Sequence, residues 1–187
     1  MNENNLSFIT KFAICLLVSG AALLYSSAQA AEIRINDTAV ACFTPEEDCT
    51  GLIAGAINSA RSEVLVQAFS FTSRPISEAL INARKRGARV EIILDSSFKW
   101  GGKRTAVGLA ADAGIPIFVD SFHKKAHNKT IIIDAQTVIT GSFNFTRAAQ
   151  YDNAENVLIL KSAGLARLYK ENFRAHKKHS NRYVGSY

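Results

Sequence analysis

Strand-length apolar runs that alternate with helix-length amphipathic stretches constrain this chain more than any other feature. The runs Glu32 to Val40, Val64 to Phe71, Val90 to Leu94 and Ile115 to Val119 are separated by stretches of helical period at Thr50 to Ala60, Ile76 to Arg86 and Lys103 to Ala113. Three β-branched or apolar runs follow at Lys129 to Asp134, Gln136 to Gly141 and Asn156 to Leu160, then a helical stretch from Ala163 to His176. This order predicts an α/β fold, a mixed β-sheet flanked by helices. Gly87, Gly101-Gly102 and Gly114 fall at element ends, and no repeat or low-complexity tract divides the chain, so a single domain is expected.

That domain is expected to cover residues 31–187, because residues 1–30 read as a signal peptide. Lys11 precedes the apolar run Phe12 to Tyr25, and Ser26-Ser27-Ala28-Gln29-Ala30 supplies small residues for cleavage after Ala30. The run is shorter than the roughly twenty residues that span a bilayer, so no stable membrane anchor is expected after cleavage. Roughly 157 residues remain, enough to bury a core. A periplasmic or secreted location follows. In that oxidising setting Cys42 and Cys49, separated by a Pro-containing loop, are expected to form a disulfide staple in preference to two free thiols.

Chemistry concentrates in a short segment. His127-Asn128-Lys129 is followed by Asp134 and then by Gly141-Ser142-Phe143-Asn144. Six fixed identities at these spacings arise by chance in about one chain in a million. On strands, alternate side chains share a face, so His127 pairs with Lys129 and Ser142 with Asn144, and the four can converge on one anion. Asp134 has the opposite parity and sits at a strand end, which suits a turn carboxylate bonding backbone; Asp134 and Gly141 are read as structural. A phosphodiester is a poor, negatively charged electrophile, so Lys129 would supply charge and Asn144 a neutral donor. A neutral imidazole is nucleophilic near pH 7, and a carboxylate on its far nitrogen would stabilise the cation formed on attack; Glu155 suits that task.

The pattern His-x-Lys-x4-Asp-x6-Gly-Ser-x-Asn resembles the phospholipase D superfamily, and Val64 to Thr72, Val90 to Asp95 and Asn153-Ala154-Glu155-Asn156 resemble its small single-motif branch. The resemblance implies a phospholipase D/nuclease-like sandwich and phosphoryl transfer through a phosphohistidine. It makes His127 the nucleophile, with Lys129 and Asn144 on the phosphate oxygens, Ser142 supporting the site and Glu155 bonded to the other nitrogen of His127. The alkoxide leaving group needs a proton that the attacking histidine cannot give. The family meets this need with two motif copies. Here His123-x-Lys125 is followed by Thr130 where Asp should stand, and His176-x-Lys178 by Tyr183, so only one copy exists. A symmetric homodimer with the active site on its two-fold axis is therefore expected.

The net charge of +6 favours polyanionic partners, and Glu3 and Lys11 cancel within the leader. Lys124 and Lys125 beside the motif, and Lys99 and Trp100 in the loop Phe98 to Arg104, are the candidate substrate-binding residues. Aromatics between lysines can stack bases and hold phosphates, and are equally at home in a membrane interface. Arg84 to Arg86 suit a solvated helix end. His123, His176 and His179 read as loop and tail histidines. With no paired C-x-x-C and no H-E-x-x-H, no metal and no cofactor are expected. The leading reading is a metal-independent endonuclease of little sequence specificity acting on DNA and possibly RNA, leaving 5′-phosphates. The alternatives are a phospholipase D or phosphatidyl transferase with the same residues, and a non-catalytic nucleic-acid-binding protein.

Overall fold

The computed structural model of the chain describes residues 38–98 and 105–183, which lie within one compact unit. In chain order the elements are β1 (Ala39–Phe43), α1 (Cys49–Asn58), β2 (Glu63–Ala68), α2 (Arg74–Lys85), β3 (Arg89–Asp95), α3 (Ala106–Asp112), β4 (Ile117–Asp120), β5 (Lys129–Ile133), β6 (Thr137–Gly141), α4 (Arg147–Tyr151), β7 (Asn156–Lys161), α5 (Ala163–His179) and β8 (Asn181–Arg182). The expected signal peptide, the first part of the expected strand at 32–37, and Lys99 and Trp100 lie outside the described residues.

One mixed sheet of eight strands, ordered β1-β7-β6-β5-β2-β3-β4-β8, forms the middle layer. The strands β2, β3 and β4 are parallel, as crossovers through α2 and α3 require, and the remaining pairings are antiparallel. Strand alternation sorts the core into two. Val64, Val66, Val90, Ile92, Ile131 and Ile133 face α1, α2 and α3, whereas Leu65, Ile93 and Ile132 face Ala166 and Phe173 of α5. Both faces of β2 are therefore covered, which explains its unbroken apolar run. Burying Phe173, 1% exposed, is worth about 1.5–3 kcal/mol.

Charged pairs fix α5 on its face of the sheet. Glu63 and Glu91 share the α5 face with Leu65 and Ile93, two residues on, and are largely buried, so each needs a cation. Lys177 Nζ reaches both carboxylate oxygens of Glu91 at 2.8 Å, Lys170 pairs with Glu63 at 2.5 Å, and Arg89 also bonds Glu63. The Cys42–Cys49 disulfide joins β1 to the first residue of α1, with the Cα atoms 5.7 Å apart.

Several boundaries differ from the sequence reading for local reasons. β2 stops at Ala68, not Phe71, because Phe69 N bonds Asn128 O while Thr72 N and Ser73 N both bond Phe145 O. α4 carries no helical period in the sequence and starts at a local cap, Thr146 accepting from Ala149 N. β8 pairs only two residues with β4, too few to show a period. α5 continues past His176 to His179.

Candidate active site

The backbone on both sides of His127 is anchored to the central strands. Asp95, buried at the end of β3, accepts from Ala126 N at 2.6 Å through Oδ2 and from Ser97 N and Oγ through Oδ1. Asn128 O accepts from Phe69 N at 2.9 Å, just beyond the end of β2. His127 itself is exposed, its ring 4.4 Å from that of Phe69, and its imidazole makes no hydrogen bond to a described residue. An exposed imidazole with a single ring neighbour is accessible to a substrate.

Lys129, two residues on, is 8% exposed. Its Nζ donates to the His127 carbonyl oxygen at 2.9 Å and lies 5.0 Å from the Phe69 ring centroid. An ammonium has three donors, so two N–H groups remain for an external acceptor. Burial lowers the Lys129 pKa from the usual lysine range, and the nearby Glu155 carboxylate opposes that shift.

The second part of the motif closes the β6 end. A Cβ on Gly141, whose φ is +154°, would stand 2.1 Å from Asn156 O, so the close approach of β6 to β7 requires glycine there. That approach brings Ser142 Oγ to 2.5 Å from a Glu155 oxygen and 3.1 Å from Asn156 N. The other Glu155 oxygen accepts from Asn153 Nδ2 at 2.9 Å. The bond from Glu155 to His127 implied by the resemblance is not formed in this conformation; Glu155 is linked to Ser142 and Asn153. The Asn144 Oδ1 atom is buried with no partner, while the next residue is fixed by Phe145 N bonding Ser70 O. A buried unpaired amide oxygen is uncommon.

Asp134 lies behind the site, at the β5–β6 turn, with φ +52°. Its carboxylate accepts from Arg61 N, Ser62 N, Ser62 Oγ and Glu63 N, all between 2.8 and 2.9 Å, tying the hairpin to the start of β2. Burial would raise its pKa, but these hydrogen bonds hold it below the usual carboxylate range. Lys124 and Lys125 are exposed on the loop before His127 and form no ion pair with a described residue. Phe122, in the same loop, is 72% exposed.

Sequence reading missed the surroundings of Asp120. His123, His176 and His179 gather around this wholly buried carboxylate at the end of β4. Two signals were available: Asp120 and His123 are three residues apart, as are His176 and His179 on α5. Neither pair has meaning until the fold joins them.

An exposed imidazole near an ammonium with two N–H donors to spare, carried on the sheet of an α/β/α sandwich, is the arrangement of a phosphodiesterase of the phospholipase D type. The chain belongs to this superfamily: the family described as "Cardiolipin synthase, PLD-like domain" matches residues 53–177. It is 40% identical over 169 residues to a phospholipase D of Rickettsia conorii, covering 88% of this chain and 84% of the relative. A mitochondrial cardiolipin hydrolase of Mus musculus is 33% identical over 133 residues, with 71% of this chain and 60% of the relative covered. Among solved structures, the phospholipase D family member Nuc from Salmonella typhimurium superposes with a TM-score of 0.74 at 35% identity, over 80% of this chain and 99% of that one.

Proposed function

We propose that this protein is an exported endonuclease that hydrolyses nucleic-acid phosphodiesters through a covalent phosphohistidine at His127. The observation that carries the reading is the Lys129 ammonium, buried against the His127 backbone with two N–H donors uncommitted. It answers the need of a phosphodiester for fixed positive charge at the attacked phosphorus. Asn144 supplies the second contact to the non-bridging oxygens, and Ser142 with Glu155 supports the site. In the first step an imidazole nitrogen of His127 bonds phosphorus and the 3′-oxygen leaves. In the second, water displaces the imidazole and releases a 5′-phosphate.

Each step needs a proton transfer that a single histidine cannot perform while bonded to phosphorus. We assign it to His127 of a second copy across a two-fold axis: that imidazolium protonates the leaving oxygen, and as a neutral base it then takes a proton from the water. The exposure of His127 suits such an arrangement. Exposed Lys124 and Lys125, with Lys99 and Trp100 in the neighbouring loop sequence, would follow the polyanion backbone without reading bases. The disulfide fits a periplasmic or secreted protein. No helix among the described residues is long and apolar enough to cross a membrane.

A second reading, hydrolysis of phospholipid phosphodiesters at the same residues, is favoured by the names of the Rickettsia and mouse relatives and by exposed Phe122 near the site. The test is degradation of supercoiled plasmid, single-stranded DNA and RNA in excess EDTA, beside cardiolipin and phosphatidylcholine vesicles, by wild type and His127→Ala. Chelator-resistant cutting of nucleic acid that the substitution abolishes is the expected result. A folded wild type that turns over only the vesicles would replace the nuclease reading with the lipid one.

A further inference from the structure

The Asp120 cluster is unexplained by phosphoryl transfer and has the form of a coordination sphere. Asp120 Oδ2 lies 2.9 Å from His123 Nδ1, 2.8 Å from His176 Nδ1 and 3.3 Å from His179 Nε2. Its other oxygen accepts from Phe122 N at 3.1 Å and His123 N at 3.3 Å. Five nitrogen neighbours on one carboxylate exceed its roughly four lone-pair sites, and three of them crowd a single oxygen. Hydrogen bonding alone is therefore a poor account of why all three rings turn inward.

We propose that Asp120, His123, His176 and His179 bind a divalent transition-metal ion, zinc by the donor set, which fastens the loop leading to His127 onto the end of α5. One atom from each residue lies within 4.8 Å of the other three. Ligands about 2.0–2.1 Å from a tetrahedral zinc stand about 3.3 Å apart, so the two shorter contacts open slightly and the ring-to-ring spacing contracts as the ion enters. Three imidazoles and one carboxylate suit zinc, and cobalt can replace it at such a site. Four protein ligands leave no open position, which makes the ion structural. The Asp120 Oδ1 bonds to two backbone N–H groups supply the outer hydrogen bonds that orient a ligating carboxylate.

The sheet supplies the geometry. Asp120 shares its face of β4 with Phe118, which packs in the α5 core, so its carboxylate points at the last turn of that helix. His176 and His179 are three residues apart on that turn and so lie on one face. Asp120 is wholly buried and stands opposite Asp95 on the neighbouring strand, so a dication bound here would sit beside two carboxylates. The side chains of His123 and His179 are 39% and 28% exposed, which gives an ion a path in. The other grouping of potential ligands, Cys42, Glu47 and Cys49, is closed by the disulfide.

The test uses the untagged full chain, stripped with EDTA, freed of chelator and titrated with Zn2+ and Co2+. One ion bound per chain is expected, with the intense visible absorption of four-coordinate cobalt and a melting temperature several degrees above that of the stripped protein. A His176→Gln/His179→Gln variant, altered only at the helix end, should fold and lose all three signals, which guards against a misfolded Asp120 variant. Stripped wild type that takes up neither ion at several-fold excess overturns the proposal, as does a double variant that binds like wild type. These readouts do not involve turnover, so the nuclease proposal can fail without this one, and the reverse.

Discussion

The Lys129 ammonium bonds the backbone carbonyl of the residue it is expected to assist: Nζ to His127 O is 2.9 Å. This bond ties the cation to the backbone that carries the imidazole, and in the proposed reaction the two remaining N–H groups of Lys129 hold the phosphate that His127 attacks. Lys129→Met is expected to lower kcat by about 100-fold or more, the scale seen when a fixed electrostatic donor is removed. Because burial disfavours this charge, its removal should leave the melting temperature unchanged or higher. Parallel kinetics and thermal melts check both halves.

The proposed two-fold arrangement can be tested with mixed oligomers. If the protein is a homodimer, refolding wild type with an equal amount of His127→Ala gives heterodimers with a single His127. If both are needed, activity per wild-type chain falls to about half, since random pairing puts only half of those chains into wild-type dimers. Unchanged activity after verified exchange would show that each chain works alone. Sedimentation of the wild type gives the oligomeric state directly.

Asp134 should affect stability more than chemistry. Asp134→Asn loses acceptor capacity and turns an N–H group toward the backbone donors of Arg61 and Ser62, so a cost of about 1–3 kcal/mol is expected. The native pKa is lowered, so the ionised carboxylate contributes its full stabilisation above the ordinary value near 4. That contribution is lost as pH falls through the lower native value. Denaturant melts of both proteins should therefore converge below about pH 4 and diverge above it.

The disulfide links residues seven apart, and closing so short a loop is worth about 2.5 kcal/mol on the chain-entropy account. A Cys42→Ser/Cys49→Ser variant should unfold at lower denaturant by that margin, while its kcat at room temperature stays near wild type. Equilibrium urea curves measure the first quantity and plasmid nicking the second.

The local signals in the sequence were strong wherever the chain uses them locally. Apolar runs recovered the central strands and main helices, and the spacing from His127 to Asn144 gave the two arms of one hairpin. A pair of cysteines across a short loop was similarly legible. α4 and β8 are too short to carry a period, and their existence depends on a Thr146 cap and on an exposed edge of β4.

By itself the sequence determined the α/β order, the family and the motif that runs from His127 to Asn144, because each is encoded by neighbours along the chain. Tertiary structure alone decided that Glu155 bonds Ser142 in this conformation and that His176 and His179 meet Asp120 across separations of 56 and 59 residues. The reason is physical: strand parity and helix phase say which way a side chain points, but only packing α5 onto the sheet decides what it points at.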